Sequence, residues 1–248
     1  MNADAPTSDG TASPGDDAMP RQLGDAHWPV DSFVGLLSEN SRRELFREGT
    51  VRMYSPGESL ILQGEDSSHV MVIRHGVVKV VSHTAEGHTA LLAIRASGDI
   101  VGELGALDSR PRSATVIAVG RVVVSVITGQ GFRLLCEREP QLPLTLMRIV
   151  TNRLRASDQA RIELGGYTPR VRLAKMLTSL AKSHGTAGES GVRIGIPLSH
   201  SDLASLIGSS QASLERSLRA LRVEGVIDTG YRNLVIRDLP GLTRIADD

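Results

Sequence analysis

The sequence predicts an α+β fold: an N-terminal, jelly-roll-like β-roll, then one long helix, then a small C-terminal domain of helix, tight turn and helix closed by a β-hairpin. Three observations predict it. From Val51 to about Thr128, short β-branched runs alternate with glycines. After Gly131 apolar residues return at helical spacing. From Pro197 two short helical patterns flank Gly208, ahead of two strand-like runs.

Residues 1–29 mix Ala, Asp, Gly, Pro, Ser and Thr without a period, and with five aspartates to one arginine they read as a disordered acidic tail. The roll is expected over residues 30–137. Trp28 and Val30 open a short helical piece containing Leu36 and Leu37, and Ser41-Arg42-Arg43-Glu44 has capping-box spacing for a second helix through Leu45 and Phe46. Strand runs follow at 70–73, 77–81, 90–94, 114–117 and 122–126, with Gly57, Gly64, Gly76, Gly87 and Gly98 between or beside them. Many short strands with glycine turns close into a barrel or roll.

Residues 138–167 carry the long helix and a hinge. Met147, Val150, Leu154, Ser157, Arg161 and Leu164 recur at helical spacing, an apolar stripe with a polar break that suits either packing on the roll or pairing with a second copy. Gly165, Gly166 and Pro169 end it. In 168–238, Ser199 with Asp202 three residues later caps a first helix, small Ala204 permits a close crossing, Gly208 turns the chain, and a serine caps the second helix. The runs 226–229 and 233–236, around Gly230, read as a wing. Residues 239–248 read as an extension without an assigned role.

Composition narrows the function. Equal numbers of basic and acidic residues, 28 each, exclude a chain that is basic throughout, but the balance hides an asymmetry: the stretch from Pro169 to Asp238 holds ten basic and six acidic residues. One cysteine, Cys136, excludes an intramolecular disulfide framework, a cysteine-rich zinc site and an iron–sulfur cluster, and suits a reducing cytoplasm. Haem would need an axial ligand such as His75, His83 or His88, lone histidines in turn-rich stretches. No apolar run is long enough to span a bilayer. The sequence has no G-x-S-x-G, H-E-x-x-H or Walker-type run, so no enzyme is expected.

Two motifs carry chemistry. The first runs Gly98-Asp99-Ile100-Val101-Gly102-Glu103-Leu104-Gly105, then Pro111-Arg112-Ser113-Ala114-Thr115. A planar arginine fork suits a phosphodiester, a serine hydroxyl and backbone N–H groups complete its oxygens, and a carboxylate accepts from a ribose hydroxyl. The plainer alternative is a loop in which Glu103 and Arg112 pair with each other. The second motif is the helix, turn and helix from Pro197 to Leu218, whose plainer alternative is a helical hairpin with no partner.

The first motif closely resembles the phosphate-binding cassette of cyclic-nucleotide-binding domains. Tyr54-Ser55-Pro56-Gly57-Glu58, Gln63-Gly64-Glu65 and His75-Gly76-Val77-Val78-Lys79-Val80 precede it in the family's order. The second resembles the winged helix-turn-helix of the Crp/Fnr transcription regulators, and the resemblance spans about residues 30 to 238. It implies a cytoplasmic homodimer that binds an inverted-repeat operator in double-stranded DNA, works with RNA polymerase, and is controlled by cyclic AMP or cyclic GMP; the single cysteine and the lone histidines set aside the metal, haem and iron–sulfur cluster that other members use. It further implies that Glu103 holds the ribose, Arg112 and Ser113 hold the phosphate, Gly102 and Leu104 bring backbone close, and Ser157 and Asp158 of the long helix reach the base. For DNA it points to Ser199, Ser209, Ser210, Gln211, Ser213, Arg216 and Arg219.

The chain departs from the family in two places. Where the best-known member carries an Arg-Glu pair at the start of the recognition helix, this chain has Gln211-Ala212. Gln matches adenine and Arg matches guanine, so a different half-site is expected. Asp158 replaces one of two hydroxyl residues and can accept from adenine N6 or from guanine N1–H and N2–H, which brings cyclic GMP into competition. A ligand-independent architectural DNA binder with a vestigial pocket is the alternative that remains open.

Overall fold

In a computed structural model, the described residues are 28–87, 89–230 and 233–248. The tail to residue 27, His88 and the wing tip Tyr231–Arg232 lie outside them.

Helix α1 (Glu39–Glu48) opens the N-terminal domain. Its cap is Ser38, not the expected Ser41: Ser38 Oγ accepts from the Ser41 N–H at 3.2 Å. The Ser41 hydroxyl is buried and instead donates to Glu139 Oε2 at 2.8 Å, fastening α1 to the junction just ahead of the long helix. Eight strands follow: β1 (Thr50–Tyr54), β2 (Ser59–Ile61), β3 (Val70–His75), β4 (Val77–His83), β5 (Thr89–Ala96), β6 (Ile100–Val101), β7 (Thr115–Ala118) and β8 (Val122–Ile127). They pair antiparallel into two four-stranded sheets, β1-β8-β3-β6 and β2-β7-β4-β5. Alternate residues face inward, so Ile73, Val78, Val116, Val122 and Val124 fill the space between the sheets. Gly76 joins β3 to β4 at φ +97°, and a Cβ there would stand 2.6 Å from the Arg121 carbonyl, which reserves the position for glycine. The short helix α2 (Glu103–Asp108) sits between β6 and β7.

The helical stretch after Gly131 divides in two. Helix α3 (Gly129–Arg138), capped by Thr128, stops before Pro140, and α4 (Gln141–Gly166) runs on from there as the long helix. The roll end of α4 buries Leu142, Leu146 and Ile149 beside Phe33, Leu45 and Phe132, whereas Leu144, Met147, Leu154, Ile162 and Leu164 stay exposed.

Thr168 caps α5 (Pro169–His184), with Pro169 at its first turn. The C-terminal domain then adds β9 (Gly185–Gly188), β10 (Gly191–Ile194), α6 (His200–Leu206), α7 (Gln211–Val223), β11 (Ile227–Gly230), β12 (Asn233–Ile236) and α8 (Leu239–Asp247). The wing is thus part of a four-stranded sheet, β11-β12-β10-β9, whose first hairpin is too glycine-rich to read as strand. Helix α8 buries Leu242, Ile245 and Ala246 in the same core as Leu173, Leu177, Leu214, Leu218 and Leu221. The last residues therefore build the C-terminal core rather than extend beyond it.

The two domains touch. Helix α6 lies against β5, with Lys79 Nζ bonded to the Asp202 carboxylate and the Leu91 N–H donating to Ser205 Oγ at 2.8 Å.

Candidate functional site

The first motif lines a cavity of about 420 Å³ between the β2-β7-β4-β5 sheet and α4. Gly102, Glu103, Leu104, Arg112, Ser113 and Ser157 all border it. Each owes its place to local geometry. Gly102 caps α2 at φ +80°, and a Cβ there would stand 2.9 Å from Arg112 Nη1 and 3.0 Å from the His69 carbonyl. Glycine alone admits this approach. Glu103 follows as the first residue of α2 and is 6% exposed, while Ser113 is exposed at the rim.

Arg112 is 4% exposed. Its Nε donates to Ser67 Oγ at 2.8 Å, Nη1 to the Gly102 carbonyl at 2.6 Å and Nη2 to the His69 carbonyl at 2.5 Å. All three acceptors are neutral. Burial pushes the guanidinium's pKa down, and the carboxylates of Glu103 and Glu65 oppose that push. A buried cation without an anionic partner is costly, so an anion delivered to this spot is strongly favoured.

Glu103 and Arg112 do not pair with each other. The partner of Glu103 is Arg153 of α4, whose Nη1 lies 2.5 Å from Glu103 Oε1 while Nη2 donates to the Ile100 carbonyl at 2.8 Å. Arg153, which sequence reasoning missed, fastens the long helix to the carboxylate expected to hold a ribose. The available signal was spacing: Arg153 lies four residues before Ser157, on one face of a helix. Arg95 of β5 also lines the cavity and was missed. Asp158 does not reach it. That residue is exposed on α4, with Arg161 Nη1 3.8 Å from its carboxylate.

The second motif folds as a pair of capped helices. At α6 the capping box is complete: Ser199 Oγ accepts from the Asp202 N–H at 3.1 Å, and Asp202 Oδ2 accepts from the Ser199 N–H at 2.8 Å. Ser210 caps α7 by accepting from the Ser213 N–H at 3.2 Å. Ser209 lies in the turn between them, half-buried. Leu214, Ser217, Leu218 and Leu221 bury one face of α7, leaving Gln211, Ala212, Glu215, Arg216 and Arg219 on the other, open to solvent. Arg216 Nη2 donates to Ser213 Oγ at 3.0 Å, which holds both near the start of the helix. Glu215 places a carboxylate on this face that sequence reasoning did not single out.

Arg172 of α5 joins the long helix to this pair. Its Nε donates to the Ile207 carbonyl at 2.8 Å, Nη1 to Tyr167 at 2.7 Å and Leu164 at 3.3 Å, and Nη2 to Gly208 at 3.2 Å. Leu164 of α4 also packs on Gly208, where a Cβ would stand 2.3 Å from its methyl carbon.

Two family models match the chain: a cyclic nucleotide-binding domain over residues 51–139 and a Crp-like helix-turn-helix domain over residues 171–245. Among relatives, the CRP-like cAMP-activated global transcriptional regulator of Mycobacterium tuberculosis is 26% identical over 77% of this chain and 85% of its own. The cyclic AMP receptor protein of Thermus thermophilus is 27% identical over 79% and 87%. The transcriptional activator FnrA of Stutzerimonas stutzeri is 25% identical over 79% and 80%. Among solved structures, a CRP-family transcriptional regulator from Thermus thermophilus superposes with a TM-score of 0.68 at 25% identity, covering 79% of this chain and 97% of that one. FixK2 from Bradyrhizobium japonicum does so at 0.69 and 21%, covering 79% and 96%, and bears on the fold alone. With both domains matched in this order around a long helix, the chain belongs to the Crp/Fnr family of transcription regulators.

Proposed function

We propose that the chain is a homodimeric, nucleotide-controlled regulator whose α7 reads an inverted-repeat operator in double-stranded DNA. The observation that carries this reading is the buried Arg112, satisfied only by neutral oxygens, on a cavity that also presents Ser113 and Glu103. The phosphate of a cyclic nucleotide lies against Arg112 and Ser113, its ribose against Glu103, and its base toward Ser157. Cyclic AMP and cyclic GMP are the first candidates, and no metal, haem or iron–sulfur cluster takes part.

Dimerisation is supported by the exposed apolar stripe of α4, Leu144, Met147, Leu154, Ile162 and Leu164. A second copy packed on that stripe covers Asp158 as well, and a role for Asp158 in reading the base depends on that copy. Two-fold symmetry sets the half-sites about one helical turn apart. Gln211 and Arg216 contact base edges, while Ser199, Ser209, Ser210, Ser213 and Arg219 serve the phosphates. Because the bound state must favour DNA for the ligand to act as a switch, Arg153 and Arg172 at either end of the signalling path are the positioning residues. RNA polymerase is the remaining partner and the cytoplasm the place of action. Among the described residues no helix is long and apolar enough to cross a membrane.

One observation favours a second reading, a ligand-independent DNA binder. Glu103 is already paired by Arg153, and three Arg112 bonds are already made, so both residues are hydrogen-bonded without a guest. Calorimetric titration with cyclic AMP and cyclic GMP, with Arg112→Ala as control, decides between them. Micromolar or tighter binding that the control loses supports the sensor. No heat and no thermal shift with either nucleotide supports the ligand-independent binder, or a sensor for a different ligand.

A further inference from the structure

The ribose, phosphate and base roles leave Arg95 without a use. It stands on β5 and borders the cavity beside Leu92 and Ala93. Among the described residues its side chain makes one hydrogen bond, to its own neighbour, the Ile94 carbonyl at 2.9 Å, and takes part in none of the ion pairs. Burial first, and then the like charge of Arg153, pull its pKa down to about 10 against the pull of Asp99 and Glu103, which leaves it charged at neutral pH. The Asp99 carboxylate, which accepts from the Ala96 N–H at 3.0 Å, acts on Arg95 from beyond ion-pair reach and does not border the cavity.

The lining therefore carries three guanidinium groups, Arg95, Arg112 and Arg153, and one carboxylate, Glu103. A single phosphodiester brings one negative charge to this lining and leaves half-buried Arg95 with no anion in direct contact. A second anionic group closes the balance. The carboxylate of Glu103 cannot provide it, because Arg153 already holds it at 2.5 Å.

We propose that the effector of this pocket is a nucleotide with two phosphate groups, one against Arg112 and Ser113 and the other against Arg95. This rests on the nucleotide reading of the cavity given above. The shared chemistry, two phosphoryl groups on a nucleoside scaffold, has two sources: a cyclic dinucleotide, or a single nucleoside with two separate phosphates.

The full chain is titrated with cyclic AMP, cyclic GMP, cyclic di-GMP, and the 3′,5′-bisphosphates of adenosine and guanosine. The proteins compared are the wild type, Arg95→Leu, Arg95→Lys and Arg112→Ala. An added charge-assisted contact corresponds to about ten-fold or more in affinity. The expected result is that one two-phosphate class binds the wild type at least about ten-fold more tightly than either cyclic mononucleotide. Which class does so identifies the source. Arg95→Leu collapses that preference and Arg95→Lys retains part of it, while Arg112→Ala weakens every probe. A wild type that binds a cyclic mononucleotide as tightly as any two-phosphate probe overturns the proposal and leaves the nucleotide reading standing. So does a preference that survives in Arg95→Leu. Silence toward every probe overturns both.

Discussion

Replacing Arg172 by methionine keeps the apolar stem and removes the guanidinium that ties the C-terminal end of α4 to the turn between α6 and α7. Four carbonyls lose a donor. The bonds to Leu164 at 3.3 Å and Gly208 at 3.2 Å are exposed, and water replaces them at little cost. The bonds to Tyr167 at 2.7 Å and Ile207 at 2.8 Å are short and partly buried. At about 1.5–3 kcal/mol for a hydrogen bond from a charged donor, discounted for partial exposure, their loss removes roughly 2–4 kcal/mol from the junction. Coupling between two sites is typically about 1–3 kcal/mol, so this loss is large enough to erase it. The assay is DNA affinity by fluorescence anisotropy, with and without saturating nucleotide. Arg172 lies outside the cavity, so Arg172→Met still binds nucleotide, while the nucleotide-dependent gain in DNA affinity falls to near unity. A variant that keeps the full gain refutes the reasoning and moves the coupling to another contact.

Five further outcomes follow from the same geometry. Gly102→Ala places a methyl at φ +80° against Arg112 and the His69 carbonyl; at about 1–2 kcal/mol for a left-handed alanine plus the displacement of Arg112, nucleotide affinity falls by about ten-fold or more in calorimetry. Asp202→Asn weakens the α6 cap and its bond to Lys79, at about 1–2 kcal/mol, and hydrogen exchange at the Leu91 amide accelerates. Burial alone would raise the Asp202 carboxyl, but the bonds from Lys79 and Ser199 outweigh it and hold it below its usual value of 3.8. The charged contact is therefore complete above about pH 4 and lost as pH falls through the lowered value, so that in the wild type the protection of the Leu91 amide, taken relative to the intrinsic exchange rate at each pH, falls on acidification. Met147→Glu with Leu154→Glu charges the exposed stripe of α4, and sedimentation is expected to show a dimer for the wild type and monomers for this variant. Gln211→Ala or Arg216→Ala costs about 1–3 kcal/mol in specific DNA binding and leaves nucleotide affinity intact, because α7 does not border the cavity.

What was legible in the sequence had local causes. Strands β3, β4, β5, β7 and β8 declared themselves through β-branched runs between glycines, and the caps of α6 and α7 through serines just ahead of an apolar period. Glu103 and Arg112 sit in one contiguous motif and arrive at one cavity. Features that depend on distant partners were not legible. Ser41 looked like a cap, but Ser38 took that role once Ser41 had Glu139 to bond, nearly a hundred residues away. Arg153 meets Glu103 across 50 residues, and nothing in either neighbourhood announces the pair. Arg95 sits in a short apolar strand, where one charged residue reads as an outward-facing position. Helix α8 looked like a loose end because its burial depends on α5, seventy residues earlier in the chain.

If the protein is a nucleotide-controlled switch, a nucleotide in the cavity and DNA on α7 bind the same state of it. The most direct test starts with duplexes selected from a randomised pool by the full chain in the presence of saturating nucleotide, followed by the affinity of the best duplex with nucleotide and without it. The expected result is a two-fold-symmetric site bound about 5–150-fold more tightly with nucleotide, and a reciprocal tightening of the nucleotide by the same factor when DNA is present. Equal affinity in both conditions, or a selected pool without two-fold symmetry, contradicts it.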